Sequence, residues 1–307
     1  MMSGTSSTGI LESLSSAIQQ VAESASPSVV SISSDGRSGT GVVWDDQGHV
    51  VTAYHVVQGL EEVEVGSVSG ETYTAKVLGR DKASDLALLK TEASLPPIAK
   101  GDSESLRVGQ FVLALANPHA SSASATSGIV TGVNRNIGGW WGVGIDDAVV
   151  TDARLNPGYS GGPLVDSSGR MVALNVAYMS SRGIAVPLQR ISSTVEKLAS
   201  GKPVGRAYLG VVTNPVPIPE EVASAPDVGQ ECGMLVLSVE TGSAAKAAGL
   251  AFGDVLLGLD GSPVTGFHDL RRLLTEEKVG HELKLRVLRA GRVEELSVTP
   301  GLAPEDA

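Results

Sequence analysis

Three side chains in this sequence of 307 residues could together activate an alcohol for attack on a carbonyl carbon. Ser160 sits in Gly158-Tyr159-Ser160-Gly161-Gly162-Pro163, where glycines allow φ > 0 and let backbone amides approach a ligand closely. Such a turn presents the serine Oγ outward while the amides of Gly158 and Ser160 point at one spot. Two such donors preorganise a site for negative charge appearing on a carbonyl oxygen. A serine hydroxyl is a poor nucleophile until a base removes its proton, and the base works best when a carboxylate orients it. His55, at the end of an apolar strand beginning at Val50, and Asp85, immediately before the apolar run 86–89, offer those partners. Each also has a plainer reading: a surface serine in a glycine-rich turn, a hydrogen-bonded core histidine, a turn or capping aspartate.

Positioning these groups falls to short β-rich runs. They cover 28–32, 39–44, 50–53, 72–78, 87–90, 111–116, 128–133, 148–151, 163–165, 171–177 and 183–186, with hairpin punctuation at Gln47-Gly48, Ser69-Gly70 and Ser168-Gly169. So many strands without long intervening helices predict a mainly β fold of antiparallel barrels, not a βαβ sheet. Residues 1–25 read as a mobile segment leading into an amphipathic helix over 10–23, with Leu11, Leu14, Ile18 and Val21 at helical spacing. A helix over 188–200 closes the domain at 26–200, and 201–205 is a linker. A smaller α+β domain occupies 206–302, with a tail at 303–307. Its expected elements are strands at 233–239 and 254–259, helices at 243–248 and 267–277, and a hairpin of 283–289 with 293–299. Thr265 or Asp269 would cap the second helix.

Bulk properties exclude several functions. The net charge of −11 divides evenly, −5 over 1–204 and −6 over 205–307, so no basic patch exists for nucleic acid or anionic membrane. Cys232 is the only cysteine, which precludes an intrachain disulfide and a Cys-based zinc cage, and the five histidines lack ligand spacing. Neither metal nor cofactor is expected. No apolar run reaches the ~18 residues of a membrane span. Residues 1–30 lack the charged start of a secretory signal, which fits a cytoplasmic chain or one whose export segment has been removed.

Taken together, the segments around His55, Asp85 and Ser160 resemble the trypsin-fold serine proteases, and specifically the HtrA (Deg) family. The resemblance also includes Ser38-Gly39-Thr40-Gly41-Val42-Val43, Ala116-Asn117-Pro118, Ser127-Gly128-Ile129-Val130, Thr151-Asp152-Ala153 and Gly183-Ile184-Ala185-Val186-Pro187. It implies a double six-stranded antiparallel β-barrel followed by a PDZ domain. It also implies His55 as general base, Asp85 as its orienting carboxylate and Ser160 as nucleophile, with Gly158 and Ser160 supplying the oxyanion-hole amides. Gly-x-Ser-x-Gly at 158–162 is also the elbow of α/β-hydrolases, but those enzymes place acid and histidine after the serine, in a strand–turn–helix setting. In the PDZ region the resemblance puts a carboxylate-binding loop at Tyr208, Leu209, Gly210 and Val211, with a peptide adding a strand beside 211–213. Leu270, Leu273 and Leu274 would wall that groove.

The family relation further implies an endopeptidase of unfolded or damaged proteins, C-terminal peptides as PDZ ligands, and a homotrimer. A catalytically silent scaffold or holdase that recognises C-terminal peptides is the rival reading. Two departures from the family pattern stand out. Tyr159 replaces the usual Asn between the two oxyanion donors. Arg154 replaces the usual Ala at the floor of the specificity pocket, where an outward-pointing Arg would leave Leu155, Ile184 and the strand of Asn175, Val176 and Ala177 as an apolar pocket for Val, Ala or Leu. Trp140 and Trp141 lie in an expected sensor loop at 134–145.

Overall fold

A computed structural model describes residues 7–34, 36–120, 123–137, 145–179, 181–201, 204–224 and 228–303. Aliphatic runs broken by turns close into two antiparallel six-stranded barrels. The first contains β1 (Val29–Ser34), β2 (Arg37–Val43), β3 (His49–Ala53), β4 (Glu62–Gly66), β5 (Thr72–Asp81) and β6 (Leu86–Thr91), in the order β1-β2-β3-β6-β5-β4. Pairing of β4 with β1 completes the ring. The second contains β7 (Phe111–Ala116), β8 (Ser124–Ile137), β9 (Ile145–Thr151), β10 (Pro163–Val165), β11 (Met171–Met179) and β12 (Arg182–Pro187), in the order β10-β11-β12-β9-β8-β7.

β4 is absent from the strands expected above. Its Glu62-Val63-Glu64-Val65 alternation is nevertheless a strand signal, and the structure buries Val63 and Val65 while exposing both glutamates. β3 and β6, which bring His55 and Asp85 together, are buried almost continuously, so side chains fill the barrel on one face and neighbouring elements cover the other. Each fully buried Val or Leu there contributes about 1.5–3 kcal/mol.

Two helices brace the barrels. In α1 (Ser7–Ala25) the C-terminal half packs Ile18, Val21 and Ala22 on the core, while Ile10, Leu11 and Leu14 remain exposed. α2 (Leu188–Ala199) buries Leu188, Ile191, Val195 and Leu198 at helical spacing and lies against β5 and β6 of one barrel and β11 and β12 of the other. Among the described residues no helix is long and apolar enough to cross a membrane.

The chain divides into two compact units, Met1–Val204 and Gly205–Ala307. In the second, β13 (Ala207–Tyr208) precedes the main sheet of β14 (Val211–Pro217), β15 (Cys232–Val239), β16 (Val255–Leu259), β18 (Leu283–Arg289) and β19 (Arg292–Val298). β14 is an edge. Two-residue strands β17 (Ser262–Pro263) and β20 (Gly301–Leu302) pair with β16 and β13. Short helices α3 (Glu220–Ala223) and α4 (Ala244–Ala247) join the strands, and Ser243 caps α4 by accepting from Lys246 N. α5 (Phe267–Leu273) is shorter than the expected 267–277, because Leu274 leaves helical geometry at ψ 66° and a separate 3₁₀ turn follows at Glu276–Lys278. Asp269 Oδ2 accepts from both Thr265 N and Thr265 Oγ1, tying the helix start to the preceding chain.

Arg289 ties turns of this unit together. Arg289 donates to both oxygens of Asp254 at 2.8 and 2.7 Å, to Gly249 O at 2.9 Å and to Glu294 at 3.0 Å. Burial alone would raise the Asp254 pKa, but the Arg289 hydrogen bonds and charge hold it below the usual carboxylate value. Arg289→Met strands a buried carboxylate, so it is expected to cost the second unit about 2–3 kcal/mol in urea unfolding at neutral pH.

Candidate active site

The site begins with His55, just past the end of β3. β3 ends at Ala53, and a single 3₁₀ turn, Tyr54–Val56, lifts His55 to the barrel rim with its side chain 46% exposed. Asp85 reaches it from the neighbouring strand β6. The turn before β6 is held by Asp81, whose carboxylate accepts from Ala83 N and from Ser84 Oγ. It ends with Asp85 at φ +55°, a left-handed conformation that aspartate tolerates better than most residues. That geometry turns the Asp85 carboxylate back onto His55.

The carboxylate is 11% exposed, lies 3.0 and 2.8 Å from His55 Nδ1 through its two oxygens, and also accepts from His55 N at 3.1 Å. Tyr54 N donates to Asp85 O at 3.1 Å. With Nδ1–H committed to Asp85, Nε2 is left as the basic nitrogen. Burial pushes the imidazole pKa down, but the hydrogen bond and charge of Asp85 outweigh it and raise the value above that of an ordinary histidine.

The serine lies in two successive type II turns. Tyr159 N donates to Asn156 O at 3.1 Å and Gly162 N to Tyr159 O at 3.0 Å, with φ +88° at Gly158 and +86° at Gly161. At Gly161 a Cβ would also collide with Thr40 O and Thr52 Oγ1 and lie 3.0 Å from Ala53 N, so this turn abuts the end of the histidine's strand. Among the described residues the amides of Gly158 and Ser160 donate to no protein acceptor. Ser160 Oγ donates to Val176 O at 3.2 Å. Neither Asp81 nor Val176 O was evident as a contributor from sequence; the Asp81-x-x-Ser84 spacing is the one local signal.

A trypsin-like peptidase domain matches residues 39–174, and a PDZ domain matches 195–299. The putative serine protease HhoB of Synechocystis is 32% identical, with 88% of this chain and 67% of that protein covered. The chain belongs to the HtrA/Do-like serine protease family. Another relative is Protease Do-like 1, chloroplastic, of Arabidopsis thaliana, at 35% identity over 88% of this chain and 65% of that protein. The chain spans 55–65% of the length of that relative and of a DegP-like endoprotease of Chlamydia trachomatis. Among solved structures, the HtrA-type protease AlgW with a decapeptide superposes with TM-score 0.75 at 26% identity, covering 93% of this chain and 98% of that one. The serine endoprotease from Yersinia pestis gives 0.73 at 26% identity, with the same coverage.

In this HtrA-family chain Tyr159 turns inward. Its ring is 4% exposed, packs in the second barrel's core with Ala116, Ala153 and Leu155, and hydrogen-bonds Asn156 and Thr126. Burial pushes its phenol pKa up. Arg154 is exposed, and its carbonyl accepts from Thr126 Oγ1 at 2.7 Å. Leu155 is buried in one apolar cluster, while Val176 and Ile184 are buried in the other. Asn175, expected on the pocket wall, is fully buried and donates to Pro163 O at 3.1 Å, bracing the strand that follows the serine turn. The side chain of Ala177, with Trp140 and Trp141, lies outside the described residues.

In the second unit, Leu209 O accepts from Ala245 N and Gly210 O from Glu240 N, both at 2.9 Å. These bonds draw the carbonyls to one side of the loop at 208–211. Gly210 has φ +76°, Leu209 is buried, and Val211 packs against the core at the start of edge strand β14. Tyr208 OH donates to Glu240 at 2.6 Å, and burial together with that carboxylate pushes its pKa up to about 12. α5 lies against β14, and Leu270 and Leu273 of the helix, with Leu274 just past its end, pack on the second unit's core.

Proposed function

We propose that the chain is a serine endopeptidase of unfolded or damaged proteins. Ser160 Oγ leaves Val176 O, gives its proton to His55 Nε2 and attacks the scissile carbonyl. The resulting oxyanion is held by the amides of Gly158 and Ser160. His55 then protonates the leaving amine, and water, deprotonated by the same nitrogen, hydrolyses the acyl-enzyme. The observation that carries this reading is the doubly hydrogen-bonded pair of His55 and Asp85 beside the Ser160 turn.

Exposed Arg154 leaves apolar Leu155, Val176 and Ile184 to line the pocket, so cleavage follows Val, Ala or Leu. The loop at Tyr208, Leu209, Gly210 and Val211 captures peptide C-termini as an added strand on β14, for substrate capture or regulation; the solved AlgW structures with a decapeptide and a tripeptide support such a ligand. Family membership extends the reading to a homotrimer.

The Ser160 hydroxyl donating to Val176 O favours the rival, a silent peptide-binding scaffold. Casein and a reduced, alkylated globular protein should be fragmented by the full chain while the native globular protein persists. No fragmentation of either unfolded substrate, with or without an apolar C-terminal peptide, would refute the peptidase reading and favour the scaffold.

A further inference from the structure

We propose that Thr40, on β2 of the first barrel, is the positioning residue of the oxyanion loop, a role that rests on the catalytic reading above. Thr40 N donates to Ser160 O at 2.9 Å, and Thr40 Oγ1 donates to Gly158 O at 2.7 Å. The peptide units that follow Gly158 and Ser160 are therefore held at both ends. Their carbonyls bind Thr40, while their amides, Tyr159 N and Gly161 N, donate to Asn156 O at 3.1 Å and Asn175 O at 2.7 Å. Between these two clamped planes lies the peptide of Tyr159 and Ser160, whose carbonyl accepts from Gly162 N. Its Ser160 N–H is thereby aimed at the open side of the loop. Fixing Gly158 O likewise sets the plane next to the Gly158 amide.

Thr40 is itself immobilised. It is fully buried, its carbonyl accepts from Thr52 Oγ1 at 2.7 Å, and its hydroxyl accepts from Asn117 N at 3.0 Å. Thr52 lies on β3, three residues before His55, and Asn117 follows β7 of the second barrel. One hydroxyl thus registers the histidine's barrel against the serine's turn, using its single proton and a lone pair. Valine matches the shape and offers neither; serine offers both.

The test compares T40V and T40S with wild type in the full chain, on a fluorogenic peptide and a peptide boronate. Losing one oxyanion donor outright costs 10²–10³ in kcat, so misaiming the donors should lower kcat of T40V about 10–100-fold with KM nearly unchanged. Boronate affinity should fall in parallel, since it reads the same donors, and T40S should stay close to wild type. Hydrogen exchange at Tyr159, Gly161 and Gly162 should quicken in T40V and not in T40S, at unchanged global unfolding. If T40V does not fold, T40A removes the same donor without crowding and carries the comparison. Wild-type kcat, boronate affinity and exchange in the hydroxyl-less variant would overturn the proposal. If wild type neither turns over substrate nor binds boronate, the catalytic reading has failed; exchange then decides the clamp alone, its protection retained in T40V refuting it.

Discussion

Ser160→Ala is expected to lower kcat by about 10⁶, because removing the nucleophile of a triad costs nearly as much as removing the whole set. Stability should barely move. The hydroxyl makes one described hydrogen bond, to Val176 O, whose loss is worth about 1 kcal/mol or less. Fluorogenic-peptide turnover and a urea unfolding curve on the same preparation separate lost chemistry from a lost fold. Activity within a few-fold of wild type would mean that the hydroxyl is not the attacking group.

Asp85→Asn should lower kcat by about 10⁴. Asparagine suits φ +55° as well as aspartate does, so the turn is kept. Its amide, however, donates to Nδ1 and drives the proton to Nε2, which then cannot act as base. The pH dependence follows from the same contact. Burial lowers the His55 pKa, the Asp85 hydrogen bond and charge raise it, and the net shift is upward. Wild-type kcat/KM should therefore fall, as pH drops, through a midpoint above the ordinary histidine value of ~6.5. In the asparagine variant the residual activity should have a lower midpoint. Stability runs the opposite way: a raised folded pKa contributes below the unfolded pKa and is lost as pH rises through the folded one. A wild-type midpoint at or below that of Asp85→Asn would contradict the assigned pair.

Antiparallel barrels were legible because runs of Val, Ile, Leu and Ala, punctuated by turns, leave little room for a βαβ sheet, whereas the pairing of two six-stranded barrels came from the family resemblance. β4 escaped because Glu62 and Glu64 dilute its apolar signal, although the barrel needs it to close. His55, Asp85 and Ser160 announced themselves as residue types, and family resemblance supplied the idea that they converge. The left-handed Asp85 and the Val176 carbonyl could not be read in advance, since each depends on backbone geometry that no side-chain pattern encodes, and the Asp81 turn left only the Asp81-x-x-Ser84 spacing as a trace. Thr40 was illegible for a related reason. A threonine in a β-strand reads as a strand former, and its hydroxyl acquires meaning only when a turn 118 positions away delivers Gly158 O to it. Tyr159 breaks the family pattern in sequence, yet the second barrel absorbs its ring and gives its hydroxyl partners in Asn156 and Thr126.

The most direct measurement is the mass of the full chain after reaction with a fluorophosphonate, followed by peptide mapping. One adduct per chain, located on Ser160 and lost when His55 is replaced by alanine, is the predicted result. An unmodified chain, or an adduct on a different residue while Ser160 remains free, would contradict the account.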